Sequence, residues 1–289
     1  MRVQNTISHV LRRVRGSALP RCWALVLLLF LGIQEGAFAE AVRVGGTGSG
    51  SVLIERLAQD YRRLHPGAEV TVVMPPLSSG GGMRALAAGR LDIAIVGRAP
   101  KPEETSLPGV GKSFEYARTP LVMASSADKA KAVSLKELAD VYAGRTLNWP
   151  DGRPIRLILR SKTESDIAIM RGASPELSAA IDESYNRNGM AVADNDIDTV
   201  DLIANTPGSL GPTTLGFLRL DGRQFAVLTL NGVQPSLESM ASGRYTWVKS
   251  IYLAASVAPT LDAQRFLAFL WSDHAKQLLT KADFIPAFP

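Results

Sequence analysis

The feature that most constrains this chain is an alternation running from residue 42 to residue 96. A short strand at 42–44 is broken by the glycine-rich stretch 45–50, and residues 52–65 then carry Leu53, Leu57, Tyr61 and Leu64 at helical spacing. Pro66 and Gly67 stop that helix, and an extended run follows at 69–74. Ser78 opens a second helix that Gly89 ends, and residues 91–96 read as a strand apolar enough to be buried on both faces. Strand, helix, strand, helix, strand at this spacing predicts parallel strands joined by right-handed crossovers, with helices on the faces of the sheet.

The theme returns further on. Residues 120–124 read as a strand, and Ser134 with Glu137 forms a capping box for a helix that Gly144 closes. A strand at 155–159 runs into residues 160–165, and another helix starts at Asp166. Residues 215–218 and 225–230 read as further strands, the turn-rich stretch 205–214 as a loop, and Thr260 and Asp273 as caps of two closing helices. With 289 residues, 46% of them hydrophobic, the chain can bury the cores of two lobes. A charged fraction of 20% spread through alternating segments excludes a disordered or fibrous chain.

The first 39 residues differ in kind. Five arginines precede the first acidic residue, Glu35; an apolar run at 23–31 follows them, and Ala37, Phe38 and Ala39 make an A-x-A site. These are the parts of a cleavable export signal, and the apolar core is shorter than the roughly 20 residues of a spanning helix. An uncleaved anchor is the competing reading. Residues 1–39 carry +4 of the chain's +5, so the mature part stands near +1 and offers no basis for a nucleic-acid surface. The one cysteine, Cys22, also falls in this segment, which leaves the mature chain without thiol nucleophiles, disulfides or thiolate metal sites.

Three times a strand ends, small hydroxyl and glycine residues follow, and a helix begins: at 47–51, 78–82 and 160–165. In open α/β sheets ligands sit at the carboxyl ends of strands, where helix N-termini offer free N–H groups and partial positive charge. Arg98 and Arg160 each follow a strand and add fixed bidentate cations. Donors outnumber acceptors, so the ligand class that fits is an oxyanion; ordinary caps and turns are the bland reading of the same residues. His65 and His274 lie outside these loops, and neither a nucleophile elbow nor a P-loop is present, so no catalytic residues, cofactor or metal are expected.

Taken in order, residues 46–50, 78–82, 91–100, 117–122, 135–138 with Asn148 and Trp149, 241–245 and 284–286 resemble the phosphate-type substrate-binding proteins of ABC importers. The resemblance implies a two-lobed periplasmic-binding-protein type II fold, each lobe a mainly parallel sheet flanked by helices, with two hinge crossings. Lobe one would take residues 40–118 and 250–289, and lobe two residues 119–249. It further implies a monomer in the periplasm that closes on phosphate or a related small oxyanion and presents it to an ABC permease. The ligand shell carried over comprises Thr47, Gly48 and Ser49, then Ser78, Ser79 and Gly80, then Arg160, Thr163 and Ser165. Two positions depart from the pattern: Arg98 stands where phosphate-specific members have an aspartate, and Glu164 where a serine donor is usual. A buried Glu164 would repel an anion unless Arg98 or Lys162 neutralised it. A sensory module on the same fold is the alternative role.

Overall fold

The computed structural model describes residues 41–127 and 132–288, so the expected leader at 1–39 lies outside the described residues. The first elements are β1 (Val42–Gly46), α1 (Gly48–Leu64), β2 (Val70–Val72), α2 (Ser78–Ala87), β3 (Ile93–Val96), α3 (Pro102–Thr105) and β4 (Val110–Ser125). Next come β5 (Ala132–Val133), α4 (Leu135–Tyr142), β6 (Arg156–Arg160), α5 (Ser165–Arg171), α6 (Pro175–Ser184), β7 (Ala191–Ala193), α7 (Asp196–Asn205) and β8 (Ser209–Thr214). The last are α8 (Leu215–Asp221), β9 (Ala226–Val227), β10 (Thr229–Leu230), α9 (Leu237–Ala241), β11 (Val248–Ser256), α10 (Leu261–Leu270), α11 (Asp273–Lys281) and β12 (Ile285–Pro286).

Two lobes share one long strand. In the first, β2, β1 and β3 run parallel, and β11 lies antiparallel between β3 and β4. In the second, β8 pairs antiparallel with β4 and parallel with β6, which pairs parallel with β7. The exchange happens inside β4: Pro120 faces Val248 of β11, and the next residue, Leu121, faces Thr214 of β8. The side-chain period of two puts a core on each face of each sheet. Ile93 and Ile95 join one cluster with Leu57, Phe266 and Leu270, while Ala94 and Val96 join another with Met83 and Leu86. In the second lobe Leu157 and Leu159 pack with Leu138 and Ile181, and Ile158 packs with Val200 and Phe217 on the opposite face.

Several expectations are corrected. Helix α1 starts at Gly48, ahead of the expected residue 52, because its glycines are places of close approach rather than breaks: a Cβ at Gly50 would lie 2.3 Å from Ile95 Cγ2. Leu64, read as part of its apolar face, is exposed. The stretch 205–214 contains the wholly buried strand β8, whose small residues let neighbours close in; a Cβ on Gly211 would meet Ile158 and Ile203 at 3.3 Å. Residues 215–218 are helical, because Thr214 caps them through Phe217 N–H and Gly222 ends the helix in a left-handed conformation. The last helix is capped by Ser272, with Asp273 inside it. Among the described residues no helix is long and apolar enough to cross a membrane.

Candidate ligand site between the lobes

The carboxyl ends of β1, β3 and β6 point their loops into one seam. From the first lobe comes the N-terminus of α1: Thr47 is tied to the sheet by its N–H on the Ile95 carbonyl at 3.0 Å. As N-cap it stands in extended geometry, yet its side chain caps nothing, and no acidic residue occupies the first turn of this 17-residue helix. From the second lobe come Arg160, the last residue of β6, and Ser165, the first of α5. Around Gly97 the elements meet. A Cβ built there would lie 2.9 Å from Ser165 Oγ, 3.0 Å from Lys249 Cε and 3.3 Å from Thr47 Oγ1.

The seam is charged and buried. Arg160, Asp166 and Lys249 are fully buried, and Asp196 and Glu164 nearly so. Lys249 donates to Asp166 Oδ1 at 2.5 Å and to Asp196 Oδ1 at 3.3 Å. Arg160 donates to Thr199 Oγ1 at 2.7 Å and to Glu164 Oε2 at 3.3 Å, and its guanidinium also lies 3.4 Å from Asp196 Oδ2 and 3.6 Å from Asp166 Oδ2. Tyr185 holds the arginine's backbone by donating to its carbonyl at 2.6 Å. Burial works to raise the pKa of Asp196, but Lys249, Arg160 and the Ser49 backbone N–H outweigh it and hold the carboxyl well below the usual range. At Glu164 burial wins against the pull of Arg160 and Lys249, and the carboxyl is shifted upward. The buried atoms without a hydrogen-bond partner among the described residues include the hydroxyls of Thr47, Ser49, Ser51 and Ser165 and, in the charged cluster, Arg160 Nε, Asp166 Oδ2 and Asp196 Oδ2.

The structure thus brings together Thr47, Gly48, Ser49, Arg160 and Ser165. Ser79 stands beside them, its hydroxyl accepting from Gly97 N–H at 3.0 Å. The others have partners of their own. Arg98 is clasped by Glu104 through two hydrogen bonds of 2.7 Å, which ties the loop after β3 to α3. Lys162 sits over the Tyr185 ring, so neither Arg98 nor Lys162 pairs with Glu164; Arg160 does. Gly80 lies by the Arg98–Glu104 pair, Ser78 accepts from Gly81 N–H, and Thr163 is exposed with its hydroxyl 3.4 Å from that of Ser161. Sequence reasoning missed Lys249 and Asp196. Lys249 had a signal, being a lone lysine inside the apolar run of β11; Asp196, directly after Asn195, has the form of an ordinary acid at a helix start.

Two α/β lobes threaded by a common strand, with strand ends and helix N-termini meeting at a polar seam, define a type II periplasmic binding protein. The chain belongs to the PBP superfamily, whose domain model it matches over residues 34–274. It is a family of binding proteins rather than enzymes. The phosphate-binding protein PstS of Bacillus subtilis (strain 168) is 23% identical over 252 residues, covering 85% of this chain and 80% of that relative. The phosphate-binding protein PstS 2 of Streptococcus pneumoniae serotype 4 is 36% identical over 110 residues, a stretch that spans only 35% of the relative and 37% of this chain. Among solved structures, the high-affinity periplasmic phosphate-binding protein PfluDING bound with phosphate shares the fold at a TM-score of 0.64 and 16% identity, covering 86% of this chain and 91% of that one.

Proposed function

We propose that the chain is an exported solute-binding protein that captures phosphate or a related small oxyanion between its lobes and delivers it to an ABC permease. The observation that carries this reading is the convergence, in one buried seam, of three unpartnered hydroxyls (Thr47, Ser49, Ser165), the N-terminus of α1, and the cations Arg160 and Lys249. An oxyanion accepts from all of these and donates little, and the helix N-terminus favours its charge. A ligand held from both lobes favours the closed form over the open one. In this reading residues 40–118 and 250–289 form one moving body and residues 119–249 the other, hinged where β4 changes partners and where β11 returns. Residues 1–39 direct export to the periplasm. Ser79 and Gly48 shape the seat, whereas Arg98, Ser78, Gly80 and Thr163 act around it.

A thermal-shift panel of phosphate, sulfate, molybdate, tungstate and a phosphonate tests the proposal on the purified mature protein. A true ligand at 100 times its Kd adds about 2.7 kcal/mol of stability. No shift with any member of the panel would remove the oxyanion reading.

A further inference from the structure

We infer that Asp196 is a built-in occupant of the anion seat: its carboxylate, supplied by the second lobe, sits at the N-terminus of α1 where a bound oxyanion would sit and holds the lobes together without ligand. The inference rests on the seam being the binding site.

Position is the first support. A Cβ built on Gly48 would lie 2.8 Å from Asp196 Oδ2 and 3.0 Å from Asp196 N, so the second lobe touches the opening turn of α1 at the one residue type that permits it. The charge partners are the second. Each carboxylate oxygen has its own cation, Oδ1 facing Lys249 at 3.3 Å and Oδ2 facing Arg160 at 3.4 Å. These are the cations an oxyanion would use.

The third support is what Asp196 does not do. Its own helix is capped by Asn195, whose Oδ1 accepts from the N–H groups of Ile197 and Asp198. Asp196 is therefore free to serve the other lobe. Helix α1, for its part, has neither a side-chain cap nor an acidic residue in its first turn, and the carboxylate answers its dipole from outside. Finally, Thr47 Oγ1, Ser49 Oγ and Ser165 Oγ, all buried, have no hydrogen-bond partner among the described residues, and Asp196 Oδ2, though near Arg160, accepts no hydrogen bond either. A tetrahedral ion has oxygens for these donors; a two-oxygen carboxylate leaves them idle. Asp196 thus mimics the charge of the ligand but only part of its hydrogen bonding, so an incoming anion must displace it and binds more weakly than the seat alone would allow.

Small-angle scattering of the mature protein, with and without saturating phosphate, tests this on wild type, Asp196→Asn and Gly48→Ala. Wild type is expected to be compact without ligand and unchanged by it. Asp196→Asn is expected to expand without ligand, to contract on phosphate, and to bind phosphate on the order of tenfold tighter than wild type in calorimetry. Gly48→Ala keeps every charge and pushes the carboxylate off the helix, so it also expands, which decides the matter even if Asp196→Asn does not fold. A wild type that is expanded alone and contracts with phosphate overturns the role of Asp196 while leaving the oxyanion reading intact. Variants as compact as wild type without ligand overturn it as well. An expanded Asp196→Asn that binds no oxyanion upholds the role of Asp196 and sinks the oxyanion reading instead.

Discussion

At Lys249 a fully buried ammonium is held by two carboxylates, Asp166 and Asp196, and burial, which would lower its pKa, is outweighed by them. Removing one partner of such a cluster strands the other charges, and Lys249→Met is expected to lose about 3–5 kcal/mol, read from the urea midpoint. Glu164 behaves oppositely. Its folded pKa is raised, so the fold disfavours its ionised form; the deficit is absent below the unfolded value of about 4.3 and develops as pH rises through the folded pKa. Glu164→Gln is therefore expected to melt above wild type at pH 7, with the gap closing as pH falls toward 4.3; an equal gap at both pH values would contradict this. For single residues the sequence was readable where a role is local, as for Thr260, read as a helix cap and accepting from Ala263 N–H. It was unreadable for Asp196, whose partners lie far away in sequence.

At the scale of elements, the capping box at α4 shows local chemistry carried into the structure unchanged. Ser134 Oγ accepts from Glu137 N–H at 3.1 Å, and Glu137 accepts from Ser134 N–H at 2.8 Å. Ser134→Ala is expected to cost about 0.5–2 kcal/mol, seen as a lower urea midpoint at unchanged slope, with no effect on ligand binding. The β-α-β-α-β run from β1 to β3 was legible for the same reason: apolar periods of two and 3.6 are local signals. Strand β8 was not, because Ser209, Gly211 and Pro212 have the composition of a loop, and only the fold shows that their smallness lets Ile203 and Ile158 pack onto them. The apolar residues of α8 were too few to separate strand from helix by period, and the cap at Thr214 was the better guide.

At the level of the whole molecule, β4 and β11 tie the lobes into one sheet path, and the seam beside them takes its charges from the second lobe and most of its hydroxyls from the first. That residues of the loops at 47–51, 78–82 and 160–165 meet at that seam was legible in their glycine and hydroxyl content at strand ends. Its neutralisation by Asp166 and Asp196 was not, since only the fold brings those carboxylates to Arg160 and Lys249. Calorimetric titration of the mature protein with the oxyanion panel, run on wild type and on Thr47→Val combined with Ser49→Ala, reads the seam's binding role outright. One-to-one binding of at least one oxyanion is expected, weakened by on the order of a hundredfold or more in the double variant, since each of the two lost hydrogen bonds to a charged group is worth about 1.5–3 kcal/mol. Binding of equal strength in the two proteins, or no binding by wild type, would contradict it.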